Sequence, residues 1–149
     1  MIFFLFLTLL AEHGSLGARH ELDTVSAALG RTVERVRALC EDGQGGPALL
    51  TFMVTDGELL AASEGGRDLY WSSYKNRCSD RERCPSVSAV CEAPTTTGHV
   101  NHFIVSSEPL QGENVWQPFE PGEIVAVDRS MRIHRAHVDR RALPVLLTA

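Results

Sequence analysis

At 149 residues, with 44% hydrophobic and 22% charged side chains, the chain has the size and composition of one globular domain able to bury a substantial core. Its formal net charge is -5 and its arginines are dispersed among carboxylates, so no basic face offers itself to phosphate backbones and nucleic acid is not an expected partner. Lysine occurs once, as Lys75.

The first ten residues, Met1-Ile2-Phe3-Phe4-Leu5-Phe6-Leu7-Thr8-Leu9-Leu10, are apolar but for Thr8. A secretory signal would carry positive charge ahead of such a run and a small-x-small cleavage site behind it. Here no basic residue precedes it and Glu12-His13-Gly14 follows. The run also falls short of the ~20 apolar residues that span a bilayer. It predicts a helix buried all round, stopped by Gly14, so no membrane is expected and the expected location is cytoplasmic.

A second helix follows, capped by Asp23 or Thr24. Val25, Ala28, Leu29, Val33, Val36, Leu39 and Cys40 recur at steps of three and four and form its apolar face, while Arg31, Glu34, Arg35 and Arg37 face water. The glycine-rich run Asp42-Gly43-Gln44-Gly45-Gly46-Pro47 ends it. Residues 48–54 read as a strand apolar on both faces. Asp56-Gly57 is a strong hairpin signal that returns residues 58–63 antiparallel, and Gly65-Gly66 leads to residues 69–74, giving an expected three-strand meander.

Residues 75–99 carry Ser, Arg, Asp, Pro and Thr without periodicity and predict a long surface loop that shapes a site or clasps a partner. Three of the four cysteines, Cys78, Cys84 and Cys91, lie in it, and Cys40 lies on the second helix. A domain of this size needs no disulfide staples, so reduced thiols are expected. With His99-x-x-His102 and His134-x-x-His137 nearby, zinc is the obvious alternative. Its usual gaps of two to four residues are absent, and histidines three apart on an extended chain point to opposite faces, so no metal and no cofactor is expected.

Beyond the loop, residues 103–105 form an apolar, β-branched run expected to be a strand buried on both faces and closed by Ser-Glu-Pro, because proline cannot donate to a ladder. A polar loop with Trp116-Gln117-Pro118 leads to the Pro121-Gly122 turn, a strand over residues 124–127 and a further strand beginning at Met131-Arg132-Ile133. Two helices followed by mainly antiparallel strands define an α+β domain. No Gly-x-Ser-x-Gly elbow, phosphate-cradling glycine loop or helical His-Glu-x-x-His occurs. Ser106, Ser107 and Glu108 do not make a nucleophile with its base, since neighbours on a strand face opposite ways; a hydrogen-bonded strand end is expected instead.

Taken in order, several motifs resemble the class II glutamine amidotransferases, which are N-terminal-nucleophile hydrolases. They are Leu49-Leu50-Thr51-Phe52-Met53-Val54-Thr55-Asp56-Gly57-Glu58-Leu59-Leu60-Ala61-Ala62, then Arg83-Cys84-Pro85 and Val90-Cys91-Glu92. After these come His102-Phe103-Ile104-Val105-Ser106-Ser107-Glu108-Pro109-Leu110 with Glu113-Asn114-Val115-Trp116, and finally Pro121-Gly122-Glu123-Ile124-Val125-Ala126-Val127-Asp128. The nearest likeness is to the stand-alone bacterial branch; where some branches place an arginine after Ala-Ala, this chain has Ser63-Glu64.

The resemblance covers nearly the whole chain and matches the C-terminal half of that family's domain. It implies a partial four-layer α-β-β-α sandwich and the substrate glutamine, whose side-chain amide is hydrolysed to glutamate and ammonia. In the family an N-terminal cysteine attacks the amide with its own α-amino group as base, an Asn-Gly pair stabilises the oxyanion, an arginine holds the substrate carboxylate and an acidic Ser-Asp-Ser-Glu-like motif binds its amino group. All of these precede the region matched here, the first two residues are Met1 and Ile2, and the first cysteine is Cys40. No catalytic residue is therefore assigned to any position. The implied alternatives are the C-terminal part of an amidotransferase-like protein, inactive alone, and a non-catalytic interaction module. A half-sandwich would expose apolar surface, so pairing with an N-terminal half or self-association is expected.

Overall fold

The computed structural model describes residues 1–40 and 48–138; the glycine-rich helix stop expected at residues 42–47 lies outside them. Helix α1 spans Ile2–Ala11 and helix α2 spans Leu22–Cys40. Glu12, just past α1, takes an ion pair from Arg31 of α2 at 2.7 Å. Both helices contribute to one core, with Phe6, Leu9 and Leu10 from α1 and Leu22, Val25, Ala28, Leu29 and Val33 from α2.

Two expectations about the helices are corrected. Helix α1 is apolar all round but buried on one side only: Phe3 and Phe4 remain 61% and 69% exposed, because only the α2-facing stripe has a neighbour to pack against. The apolar face of α2 ends before its last turn, where Leu39 is 77% exposed and Cys40 is exposed, beyond the reach of the sheet beneath.

Strands β1 (Phe52–Thr55), β2 (Leu60–Ser63), β6 (Glu123–Val127) and β7 (Ile133–His137) form an antiparallel sheet in the order β1-β2-β6-β7. Strands β3 (Tyr70–Ser72), β4 (Ile104–Ser106) and β5 (Gln117–Pro118) form a second sheet in the order β4-β3-β5. Alternation along β2 and β6 divides their side chains between two cores. Ala61, Ile124 and Ala126 join the helices, whereas Ala62 and Val125 join Leu69, Trp71 and Phe119 beside the second sheet. The architecture is α+β, as expected.

The three-strand meander is not formed. Strands β1 and β2 pair as the Asp56-Gly57 signal requires, with Thr55 opposite Leu60, but β3 leaves for the second sheet. The place beside β2 is taken by β6, whose five residues are all buried and which is apolar enough to sit between two layers. Gly65 turns the chain away: Leu50 N donates to its carbonyl at 2.7 Å, and the backbone crosses so closely that a Cβ at Gly65 would lie 2.0 Å from Leu50 O. Two strands expected to be apolar on both faces are sheet edges instead. In β1 burial alternates and Met53 is 63% exposed, and the three residues of β4 are each half-buried.

Both hairpins of the four-stranded sheet are closed by an aspartate. Asp56 Oδ1 accepts from the amides of Glu58 and Leu59 at 2.8 and 2.9 Å, and Gly57 takes the positive φ of 91°. Asp128 Oδ1 accepts from the Ser130 amide, the Ser130 hydroxyl and the Arg132 amide at 2.8, 2.6 and 3.0 Å, with Met131 at φ 58°.

Candidate functional site

The densest grouping of nucleophilic and charged side chains lies where the chain leaves β3. Lys75 is fixed there by its backbone: its amide donates to Cys91 O at 2.8 Å and it forms an antiparallel bridge with Asn114. The next amide, of Asn76, donates to Glu113 O at 2.8 Å. The start of the 75–99 segment is thus tied twice, to the short 3-10 turn Ala89–Cys91 and to residues 113–114.

Side chains complete the arrangement. The Lys75 ammonium donates to Glu113 Oε2 at 3.2 Å and lies 3.9 Å from Cys78 Sγ. The second oxygen of Glu113 accepts from the Ser79 amide at 3.0 Å. Cys78 is anchored from the other side, its amide donating to Glu92 Oε1 at 2.7 Å while Arg81 pairs with Glu92 Oε2 at 3.4 Å. Hydrogen bonding to Glu113 raises the Lys75 pKa above its ordinary value. Hydrogen bonds from Ser79, followed by that from Lys75, lower that of Glu113.

Cys91 is buried, and Asn101 Nδ2 lies 3.0 Å from its sulfur. Burial pushes the Cys91 thiol up, but hydrogen bonding from Ser88 and Asn101 outweighs it and the net shift is downward. His102 is pushed below its ordinary value by burial and then by the Lys75 charge, which favours the neutral imidazole.

The residues considered for metal or nucleophile chemistry do not converge. His99 Nδ1 lies 3.3 Å from Ser130 O, and His102 Nε2 is buried with no hydrogen-bond partner. His134 sits between Asp23 and Asp128 at 3.8 and 3.6 Å, and His137 lies 3.2 Å from Glu120. Among the described residues no group of three or more His, Cys, Asp or Glu is placed to hold a metal ion. Cys84 is a free half-buried thiol in the turn after Asp80, whose carbonyl accepts the Cys84 amide at 2.8 Å. Ser106 Oγ accepts from the Glu108 amide at 3.4 Å. What the sequence reading missed is Lys75 with Glu113 and Glu92; the available signal was that Lys75 is the only lysine in the chain.

Chemically, the arrangement places an amine nitrogen beside a cysteine sulfur, two groups that can react with one another. Among the described residues no hydrogen bond joins an imidazole to a thiol, and no helix is long and apolar enough to cross a membrane.

No family model matches the chain, and no curated protein matches it. Among solved structures it is similar to a glutamine aminotransferase class-II domain protein from Silicibacter pomeroyi, with a TM-score of 0.58 and 19% sequence identity. The match covers 91% of this chain and 49% of that protein, so the chain spans about half the length of the structure it matches. At this identity the likeness is one of fold.

Proposed function

We propose that this chain is a class II glutamine amidotransferase-like protein of the stand-alone bacterial branch. In this reading its 149 residues supply scaffold and not the groups that hydrolyse the amide. The observation that carries the reading is the match of 91% of the chain to the Silicibacter pomeroyi protein, a likeness that the motifs at 49–62, 102–110 and 121–128 resemble independently of the structure.

In the proposed setting glutamine is the substrate of the whole protein, and the helices and two sheets form part of an α-β-β-α sandwich. The reaction needs a thiolate to attack the amide carbon, donors for the oxyanion and an arginine for the substrate carboxylate. Neither the Lys75–Cys78 contact nor the buried Cys91 supplies this set, and no catalytic residue is assigned. The proposed partner is an N-terminal half or a second copy, and the proposed location is the cytoplasm, where the four free thiols stay reduced.

A second reading, a non-catalytic interaction module, is favoured by the exposed Phe3 and Phe4 on α1. Two measurements test the readings, and the second separates them. The purified 149-residue chain should release no glutamate from glutamine; release well above background would overturn the scaffold assignment. The coding sequence ahead of Met1 should carry, in frame, a cysteine start, an Asn-Gly pair and an acidic Ser-Asp-Ser-Glu-like motif. A stop codon directly before Met1 would leave only the interaction module.

A further inference from the structure

The contact between Lys75 and Cys78 is over-determined. Glu113 grips the lysine ammonium with one oxygen and, with the other, the amide of Ser79, the residue after Cys78. Glu92 fixes the Cys78 amide, and the Lys75 amide is fixed by Cys91. The result is a nitrogen 3.9 Å from a sulfur, reached by the one lysine in the chain. Cys78 is half-buried and lines a solvent-open pocket with Arg77, Arg81 and Glu113, so small solutes reach it. Of the four cysteines, Cys78 alone has a lysine ammonium against its sulfur.

We propose that Lys75 and Cys78 are a redox modification site, joined by a reversible sulfenamide cross-link when a hydroperoxide oxidises the thiol. The Cys78 thiolate attacks the distal oxygen of hydrogen peroxide, the O–O bond breaks, and sulfenic acid and water result once the departing hydroxide and the sulfenate are protonated. The Lys75 nitrogen, having released a proton, then attacks the sulfur. An S–N bond forms, the S–O bond breaks, and the hydroxyl leaves as water. Sulfur is oxidised by two electrons, and the peroxide is reduced by the same two. A thiol reductant reverses the link by cleaving S–N and returning the amine and the thiol. The hydroxide that departs from the peroxide takes up the proton that the Lys75 ammonium must lose, and Glu113 keeps the nitrogen placed beside the sulfur. This site is independent of the amidotransferase reading.

Because Lys75 is the only lysine, a lysine-specific protease cuts the chain at one place only, after Lys75. The folded full chain is treated with hydrogen peroxide, its free thiols are blocked with iodoacetamide at mildly acidic pH, and it is then denatured and digested without reduction. The expected result is loss of the single cut, an uncut chain lighter by two hydrogens once the blocked thiols are allowed for, and return of the cut after dithiothreitol. Cys78→Ser should be cut to the same extent with and without peroxide, whereas Cys91→Ser should still lose the cut. Persistence of the cut after Cys78 has been oxidised would overturn the proposal. So would loss of the cut in Cys78→Ser, or an uncut chain whose mass shows that the link retains an added oxygen.

Discussion

The Glu123 carboxylate on β6, with no exposed surface, forms an ion pair with Nε of Arg135 on β7. Its other oxygen accepts the Glu120 amide at 2.9 Å, and Arg135 is itself half exposed. A buried charge is tolerated only while it is paired, and removing one partner costs more than the pair contributes. Arg135→Ala should lower stability in urea unfolding by about 2 kcal/mol, less than a fully buried pair would lose because water reaches the guanidinium. A double replacement, Glu123→Leu with Arg135→Met, should recover most of that loss. An Arg135→Ala protein as stable as the parent would show that the pair is not what keeps the carboxylate buried.

Two glycines should respond to alanine with opposite signs. A Cβ at Gly65 would meet Leu50 O at 2.0 Å and Leu50 C at 2.2 Å, both backbone atoms that cannot move without breaking the crossover. Gly65→Ala should cost about 3 kcal/mol or more, seen as a large fall in melting temperature. Gly30, within α2, has nothing within 4 Å of its would-be Cβ. Gly30→Ala should stabilise by about 0.5 to 1 kcal/mol. Equal effects at the two positions would contradict the close approach of residues 50 and 65.

Acid should loosen the β6–β7 hairpin through Asp128. Burial acts to raise its pKa, but the Ser130 hydroxyl, the Arg132 and Ser130 amides and the His134 charge together lower it from 3.8 to about 2. A depressed folded-state value means that the carboxylate stabilises the fold above its ordinary pKa, and that this contribution disappears as pH falls from 3.8 toward about 2. The ceiling is about 2 kcal/mol, and the side chain's partial exposure keeps the real figure below it. Urea midpoints measured across this window should fall more steeply for the parent than for Asp128→Asn. Parallel slopes would remove Asp128 as the cause.

Phe3 and Phe4 predict association. Ile2, Phe3 and Phe4 stand exposed on successive positions of α1, and burying one phenylalanine is worth about 1.5 to 3 kcal/mol. The chain should therefore self-associate in sedimentation, and Phe3→Gln with Phe4→Gln should weaken this by about tenfold or more. A parent chain that stays monomeric at high concentration would exclude α1 as a contact surface.

Local signals read well from the sequence and non-local ones did not. Asp56-Gly57 and Pro121-Gly122 specify turns through their own backbone, and both lie where expected, with Gly57 and Gly122 at φ 91° and 77°. Which sheet receives Tyr70–Ser72 is decided by partners far along the chain, so residues 69–74 read the same for a meander as for the observed pairing with β4 and β5. The one-sided burial of α1 was illegible because its one polar residue, Thr8, is too little to mark a face. The Lys75–Glu113 contact depends on the second sheet bringing residues 38 positions apart together, and no local pattern encodes it.

The pairing of β2 with β6 has a kinetic consequence. Leu60 meets Val127 and Ser63 meets Ile124, so the middle of the four-stranded sheet closes only after residues 64–122 have run out through the second sheet and back. The β1–β2 and β6–β7 hairpins each need only a short loop, whereas the seam between them must overcome the closure entropy of that whole excursion. The two halves of this sheet are therefore set to form early and apart, and the seam that joins them is the slow step in reaching the native state.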